Sequence, residues 1–313
     1  MTTTREDAMA VDPAWAEGAA YVDGRFCPVA EAAVPALDWG YRRSDVCYDV
    51  VGVWQGAFFR LDDHLARFAR SRAELRMEIA ESDAEIAAIL HELVRRSGLR
   101  SAYVAMDALR GRPRPGAPRH PAHCRPWLMA MAIPWVWVIP EDVQARGAHL
   151  IVAATLRIDD RAVDPTVKNF HWGDLTRALF EAGDAGADNA ILLDREGFVT
   201  EGPGFNVCAV IGRTVVTPDR GALEGITRRS VGELCAELGL GFEIRPLPVE
   251  ELRDADEVFL ATTAGGIMPV ARVDSRIYGN DRPGPISAAL RERFWAKRAE
   301  GWHATPIDYG ERA

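Results

Sequence analysis

Apolar and polar residues alternate over 18–31 and 46–61, with turn residues between the runs, and this spacing predicts strands. VCYDVVGVW, then Gln55-Gly56, then AFFRL spells a hairpin. Helical spacing follows over 61–77 and 82–98. Ser82 precedes the second helix as a cap and Gly98 ends it. SAYVAMDALRG (101–111) and PWLMAMAIPWVWV (126–138) read as strands. The Pro-, Arg- and Gly-rich stretch 110–126 between them is a long loop, of the kind that forms lids or stays disordered. A boundary falls near 139–147. Beyond it, 149–158 reads as a strand and 172–186 as a helix. Strands at 190–202 and 205–218 are joined by tight turns. A helix at 226–240, a strand at 242–249, a strand at 256–270 entering a Gly-rich loop, and a helix at 285–302 complete the chain. The elements mix without strict βαβ alternation, so the pattern predicts an α+β or α/β chain and not a doubly wound sheet. No Walker motif is present, and no GxGxxG follows a strand.

Length adds domain number: 313 residues suit two domains, a smaller N-terminal one over 1–139 and a larger one over 147–313, with a linker at 140–146. A formal charge of −9 argues against nucleic acid or an anionic membrane as partner. No apolar run reaches membrane-spanning length, and the first residues lack the basic start and apolar core of a signal peptide. Cys27, Cys47, Cys124, Cys208 and Cys235 are scattered without a CxxC pair. They read as reduced thiols of a cytoplasmic protein, with no metal site.

Candidate chemistry begins with lysine usage. Of 37 Lys plus Arg, only Lys168 and Lys297 are lysine. Charge alone therefore does not call for lysine in this chain. An amine, unlike a guanidinium, can lose its proton when desolvated and attack a carbonyl to form a Schiff base. Lys297 lies on a charged helical face. Lys168, in VDPTVKNFHW before the helix at 172, has apolar and aromatic neighbours, although a capping lysine is the commoner fate of such a residue. A Schiff-base lysine points to pyridoxal 5′-phosphate, which needs an acid for its ring nitrogen and a cradle for its phosphate. Glu201, where a strand meets Gly-Pro-Gly, is a candidate acid. Gly225, Ile226 and Thr227 open a helix and offer backbone N–H groups to an anion. The TTAGG loop at 262–266 adds Thr263, and Arg67 adds a charged fork. His64 reads as a helix-surface histidine satisfied by Asp62 or Asp63. His171 stands close enough in sequence to tune Lys168. Trp172 reads either as core or as a wall of the site.

Taken in order, LDDHLARF, VKNFHWGDL, TEGPGFNV, GITRRSV and TTAGGIMP resemble the fold-type IV pyridoxal-phosphate aminotransferases, the branched-chain and D-amino acid aminotransferase superfamily. SDVCYDV and FFRLDDHL make the chain look most like the (R)-selective amine:pyruvate transaminases within it. The resemblance runs from about residue 17 onward. It implies a D-amino acid aminotransferase-like fold with a smaller N-terminal α+β domain and a larger C-terminal pseudo-barrel domain. By position, it makes Lys168 the aldimine lysine and Glu201 the partner of the ring nitrogen. Arg67, Ile226, Thr227 and Thr263 become the phosphate cradle. Arg43, Tyr48, Val50, Tyr103, Ala105, Trp172 and Ala264 line the substrate pockets. A loop arginine, Arg112, Arg114 or Arg119, would meet the keto-acid carboxylate, with Arg114 preferred. Arg43, Ala105 and Cys47 replace the histidine, glutamate and threonine common in (R)-amine enzymes, which bears on the substrate and not on the cofactor. The implied activity is ping-pong transfer of an amino group from an (R)-primary amine or D-amino acid to a keto acid such as pyruvate, in a homodimer with active sites at the interface. The alternatives are a D-amino acid or branched-chain amino acid aminotransferase and, behind them, an aminodeoxychorismate lyase-like enzyme or a non-enzymatic ligand-binding protein.

Overall fold

The computed structural model describes residues 13–310. Most of the N-terminal stretch read as lacking a leader lies outside them. Two compact units emerge. Among the described residues, the first comprises 13–136, Val167–Phe170 and 302–310. The second comprises Trp137–Thr166 and His171–Gly301.

In the first unit, β1 (Ala19–Val22), β2 (Arg25–Pro28), β3 (Val46–Trp54), β4 (Ala57–Phe59), β5 (Ala102–Leu109) and β6 (Trp127–Pro134) form a sheet with a C-terminal strand, Ala304–Pro306. The order is C-terminal strand-β4-β3-β5-β6-β1-β2, and every pairing is antiparallel. The Gln55-Gly56 turn has φ of 52° and 80°, the double positive φ whose twist matches a two-residue hairpin. Besides the short α1 (Trp39–Arg43), the unit carries α2 (Leu61–Glu74) and α3 (Asp83–Ser97). Ser82 and Glu85 close a capping box on α3, and Gly98 ends it at φ 67°. The two long helices cover one face of the sheet. Val51, Val53, Val104, Met106 and Leu128 point to that face and meet Phe58, Phe68 and Leu90, all buried. Each such side chain contributes about 1.5–3 kcal/mol by leaving water.

The parity of β3 and β5 sets the opposite face. Tyr48, Val50 and Gly52 stand opposite Asp107, Ala105 and Tyr103, and these in turn face Met129, Met131 and Ile133 of β6. Paired residues project to the same side of a sheet, so Tyr48, Val50, Ala105, Asp107 and Tyr103 share the face away from α2 and α3.

The second unit contains α4 (Glu141–Arg146), β7 (Ala148–Val152), α5 (Gly173–Asp184), β8 (Asn189–Ile191), β9 (Glu201–Gly202), β10 (Phe205–Ile211), β11 (Thr214–Thr217), α6 (Ile226–Glu237), β12 (Gly241–Ile244), α7 (Val249–Asp254), β13 (Glu257–Thr262), β14 (Gly266–Val273), β15 (Arg276–Ile277) and α8 (Pro285–Ala299). The strands order as β12-β11-β10-β13-β14-β7-β8, with β15 on β14 and β9 on β10. The β7–β8 and β11–β12 pairs are parallel, and α5 and α6 are the crossovers that parallel pairs require.

This division differs from the one read from the sequence. Where the sequence reading put a linker at 140–146, Glu141–Arg146 form α4, which packs on β14 with Val143 and Gln144 buried. The chain also returns to the first unit twice, for four residues around Lys168 and for the C-terminal strand. That strand has only three residues, too few for an alternation signal. The strand expected over 149–158 ends at Val152, and the strand expected over 126–138 ends at Pro134.

Candidate active site

The residues singled out in the sequence fall into two groups, one in each unit. In the first, Val167–Phe170 lies against β3 and α2. The Tyr48 N–H donates to the Lys168 carbonyl at 3.0 Å, the Lys168 N–H donates to Ser71 Oγ at 3.3 Å, and Asn169 bridges Cys47. Lys168 is therefore no helix cap: α5 begins at Gly173 with Trp172 at its N-cap. The half-buried Lys168 side chain places Nζ 3.2 Å from Tyr48 Oη and 4.2 Å from the centre of its ring. Phe170 packs edge-on against that ring at 4.8 Å. A positioned amine thus meets a phenol on the sheet face that also carries Val50, Ala105 and Tyr103.

Arg67 is buried on α2 and grips Asp49 with two bonds, Nε–Oδ2 at 2.7 Å and Nη2–Oδ1 at 2.8 Å. His64 is a correction to the sequence reading. It is not on the helix surface with Asp62 or Asp63. It is buried with Nδ1 2.8 Å from Asp49 Oδ1. The reason is register: Asp49 is an odd position of β3 and points at α2, a pairing invisible in local sequence. Burial pushes the Asp49 carboxyl up, but the charge and hydrogen bonds of Arg67, then His64, outweigh this and hold it well below the usual carboxylate range. Burial depresses His64, and Asp49 opposes that shift.

Arg43 ends α1, exposed, with its guanidinium 3.5 Å over the Trp39 ring. Arg112, Arg114 and Arg119 are exposed on the 110–126 loop. A Pro113–Cys124 bridge and the bond from the Arg114 N–H to the His123 carbonyl, 3.1 Å, order that loop.

In the second unit, Glu201 on β9 is buried and pairs in register with Asn206 of β10, which pairs with Ala261 of β13. Arg157 donates to Glu201 Oε1 from Nη2 at 3.1 Å, and the Leu223 N–H donates to Oε2 at 3.0 Å. Arg157 also binds Asp174 at 2.5 Å. Asn206 Nδ2 donates to the Leu223 carbonyl at 2.8 Å and ties the loop before α6 to this row. Gly225 is the N-cap of α6 with no side-chain cap, and a Cβ there would collide with Asn206 Oδ1. Thr227 is buried in the first turn. Thr263, Ala264 and Gly265 form the tight turn between β13 and β14, where the Thr262 hydroxyl donates to the Gly204 carbonyl at 2.7 Å. Trp172 packs beside the Ala153, Leu175 and Ala178 cluster. His171 is exposed. Arg157 and Asn206 escaped the sequence reading, since an arginine in LRIDD and an asparagine inside an apolar strand carry no local signal.

The first unit thus holds a lysine amine beside a phenol, and the second holds a buried carboxylate and an uncapped helix start. Comparison gives the class: the family described as amino-transferase class IV matches residues 46–273, and the chain belongs to it. Among individual proteins, the chain is 33% identical over 267 residues to the D-alanine aminotransferase of Bacillus licheniformis, covering 85% of this chain and 92% of that one. It is 32% identical over 277 residues to a putative branched-chain-amino-acid aminotransferase of Methanocaldococcus jannaschii, covering 88% and 94%. The crystal structure of the branched-chain amino acid aminotransferase from Thermobaculum terrenum, in its PLP-bound holo-form, superposes with a TM-score of 0.82 at 29% identity, covering 94% of this chain and 99% of that one. The protein is a fold-type IV, pyridoxal-phosphate-dependent aminotransferase. The residues present fit that cofactor. The bare α6 N-terminus, with Gly225 where a side chain cannot stand, suits a phosphate, and the Arg157-backed Glu201 suits a protonated ring nitrogen.

Proposed function

We propose that this enzyme moves an amino group from an (R)-primary amine or a D-amino acid to a keto acid such as pyruvate. The observation that carries the reading is the sheet face around Lys168. Its side chains near Tyr48 are Val50, Ala105 and Tyr103, with Asp107 in the same row as Tyr48. None of these sheet side chains is itself a cation for an α-carboxylate, and the small apolar ones suit an uncharged substituent on the amine. The D-alanine aminotransferase among the relatives lends support to the hand of the substrate.

When bound, pyridoxal 5′-phosphate supplies the aldehyde that takes up the amino group and the ring that accepts an electron pair. Lys168 would hold the cofactor through Nζ, and that amine, when free, would serve as the base that takes the proton from the substrate carbon. Tyr48 Oη orients that amine through the 3.2 Å contact. Glu201 keeps the proton on the ring nitrogen, with Arg157 and the Leu223 N–H fixing its carboxylate. Arg67, Ile226, Thr227 and Thr263 hold the phosphate. Trp172 and Ala264 border the substrate. An arginine of the 110–126 loop, Arg114 by preference, swings in for the carboxylate of the keto acid. Arg43 joins it only by leaving its stack on Trp39. The working form is a homodimer in the cytoplasm, a compartment in keeping with five free thiols.

The test is a half-reaction titration of holoenzyme. (R)-1-phenylethylamine should bleach the yellow band of the bound cofactor and pyruvate should restore it, while the (S) enantiomer leaves it unchanged. Bleaching by D-alanine alone would narrow the donor to D-amino acids. Bleaching by L-leucine alone would overturn the reading.

A further inference from the structure

Asp107 is the unexplained group on the reactive face. It is 7% exposed on β5, and burial alone, with no charge or hydrogen bond beside it among the described residues, acts on its carboxyl. Its lateral neighbours are Tyr48 on β3 and Met129 on β6. Directly opposed residues stand about 5 Å apart at Cβ, so Asp107 lies one strand from the phenol that touches Lys168 Nζ. A buried carboxyl left without a partner is costly, and native proteins satisfy such groups or use them. The other buried acids of this unit illustrate the contrast: Asp49 holds Arg67 and His64, and Asp38 accepts from the Gly40 N–H and the Trp127 indole N–H. The groups facing Asp107 are the phenols Tyr48 and Tyr103, with Lys168 beyond Tyr48. β6 contributes the uncharged Met129 and Met131.

Resting on the amine-donor reading above, we propose that Asp107 is a specificity-determining residue. Its carboxyl accepts a hydrogen bond from a hydroxyl or ammonium at the far end of the amine substrate and turns away substrates that end in a carboxylate. Burial holds this carboxyl up at about 7, so at mildly alkaline pH it is predominantly an acceptor with a charge to satisfy. Ala105, two residues along the same face, presents only a methyl beside it.

The test compares three donors of one hand and one skeleton in single-turnover half-reactions of holoenzyme at pH 8.5: (R)-2-aminopentane, (R)-3-aminobutan-1-ol and (R)-4-aminopentanoate. Wild type should favour the hydroxyl over the methyl compound by about tenfold or more, the usual value of a hydrogen bond to a charged group, with the carboxylate slowest. Asp107→Ala should erase the hydroxyl preference. Asp107→Asn, which keeps the shape and an acceptor, should retain part of that preference and speed the carboxylate about tenfold. A merely structural role would slow all three donors alike. Ratios unchanged within about twofold in both variants would remove Asp107 from substrate recognition while leaving the amine transaminase standing. If wild type is bleached by D-alanine and by none of the three amines, the donor is a D-amino acid and this role for Asp107 falls while the parent reading stands; if L-leucine alone bleaches it, the parent reading fails, and this one with it.

Discussion

Asp107→Asn carries a stability signature independent of any substrate. The wild-type carboxyl titrates near 7 in the folded protein because burial opposes its charge, against an ordinary value of 3.8. A carboxyl raised in this way contributes stability fully below its unfolded value, and the contribution is lost as pH rises through the folded value. Wild type should therefore weaken relative to the neutral amide between pH 4 and 7, and the difference should level off above. The gap of about three units corresponds to about 4 kcal/mol as an upper bound, reduced by any water that reaches the site. Urea unfolding of holoenzyme at pH 4.5, 6 and 8.5, at fixed cofactor concentration, measures it. Asp107→Asn should lie close to wild type at pH 4.5 and above it at pH 8.5. Tyr103 remains protonated throughout, since burial raises a phenol whose ordinary value already lies above this pH range. A variant that is less stable than wild type at pH 8.5 would refute the reasoning, because the charged carboxyl would then have a stabilising partner. Retention of a destabilising group at this place is the pattern expected of a functional residue.

Other substitutions test the remaining parts. Lys168→Ala should abolish the yellow band and lower turnover at least about 10²–10⁴-fold, while Tyr48→Phe should cost only about 0.5–1.5 kcal/mol in the half-reaction rate, read by stopped-flow absorbance. Asp49→Asn leaves buried Arg67 without its carboxylate and should cost about 3 kcal/mol in unfolding free energy at pH 7. Because the Asp49 carboxyl is depressed, its contribution is present above the ordinary carboxylate range and fades as pH falls below it, so this deficit should shrink in acid. Gly225→Ala keeps an ordinary backbone, at φ −66°, but drives a methyl into Asn206. A penalty of about 1–3 kcal/mol should appear as weaker affinity for pyridoxal phosphate by equilibrium dialysis, and unchanged affinity would argue against a phosphate at the α6 start.

Much of this protein was legible along the chain because the relevant signals are local. Ser82, Glu85 and Gly98 bound α3 through contacts within a turn. Gln55-Gly56 sets a hairpin through its own backbone, and the start of α6 exposes its N–H groups whatever surrounds it. The scarcity of lysine singled out Lys168 without any structure. Other features depend on pairings that sequence distance hides. His64 looked like a surface residue because its partner, Asp49, lies 15 residues away across a strand–helix contact. Arg157 finds Glu201 across 44 residues, and Asn206 joins Glu201 to β13 only once the register is set. The helix beginning at Gly173 was readable, but the placement of Lys168 outside it, stitched to Tyr48 and Ser71, was not. Asp107 is the sharpest case. In the sequence it is one acid inside an apolar strand. Only the β3–β5 register turns it to the same side as Tyr48, because a one-residue shift would have sent it to the opposite face.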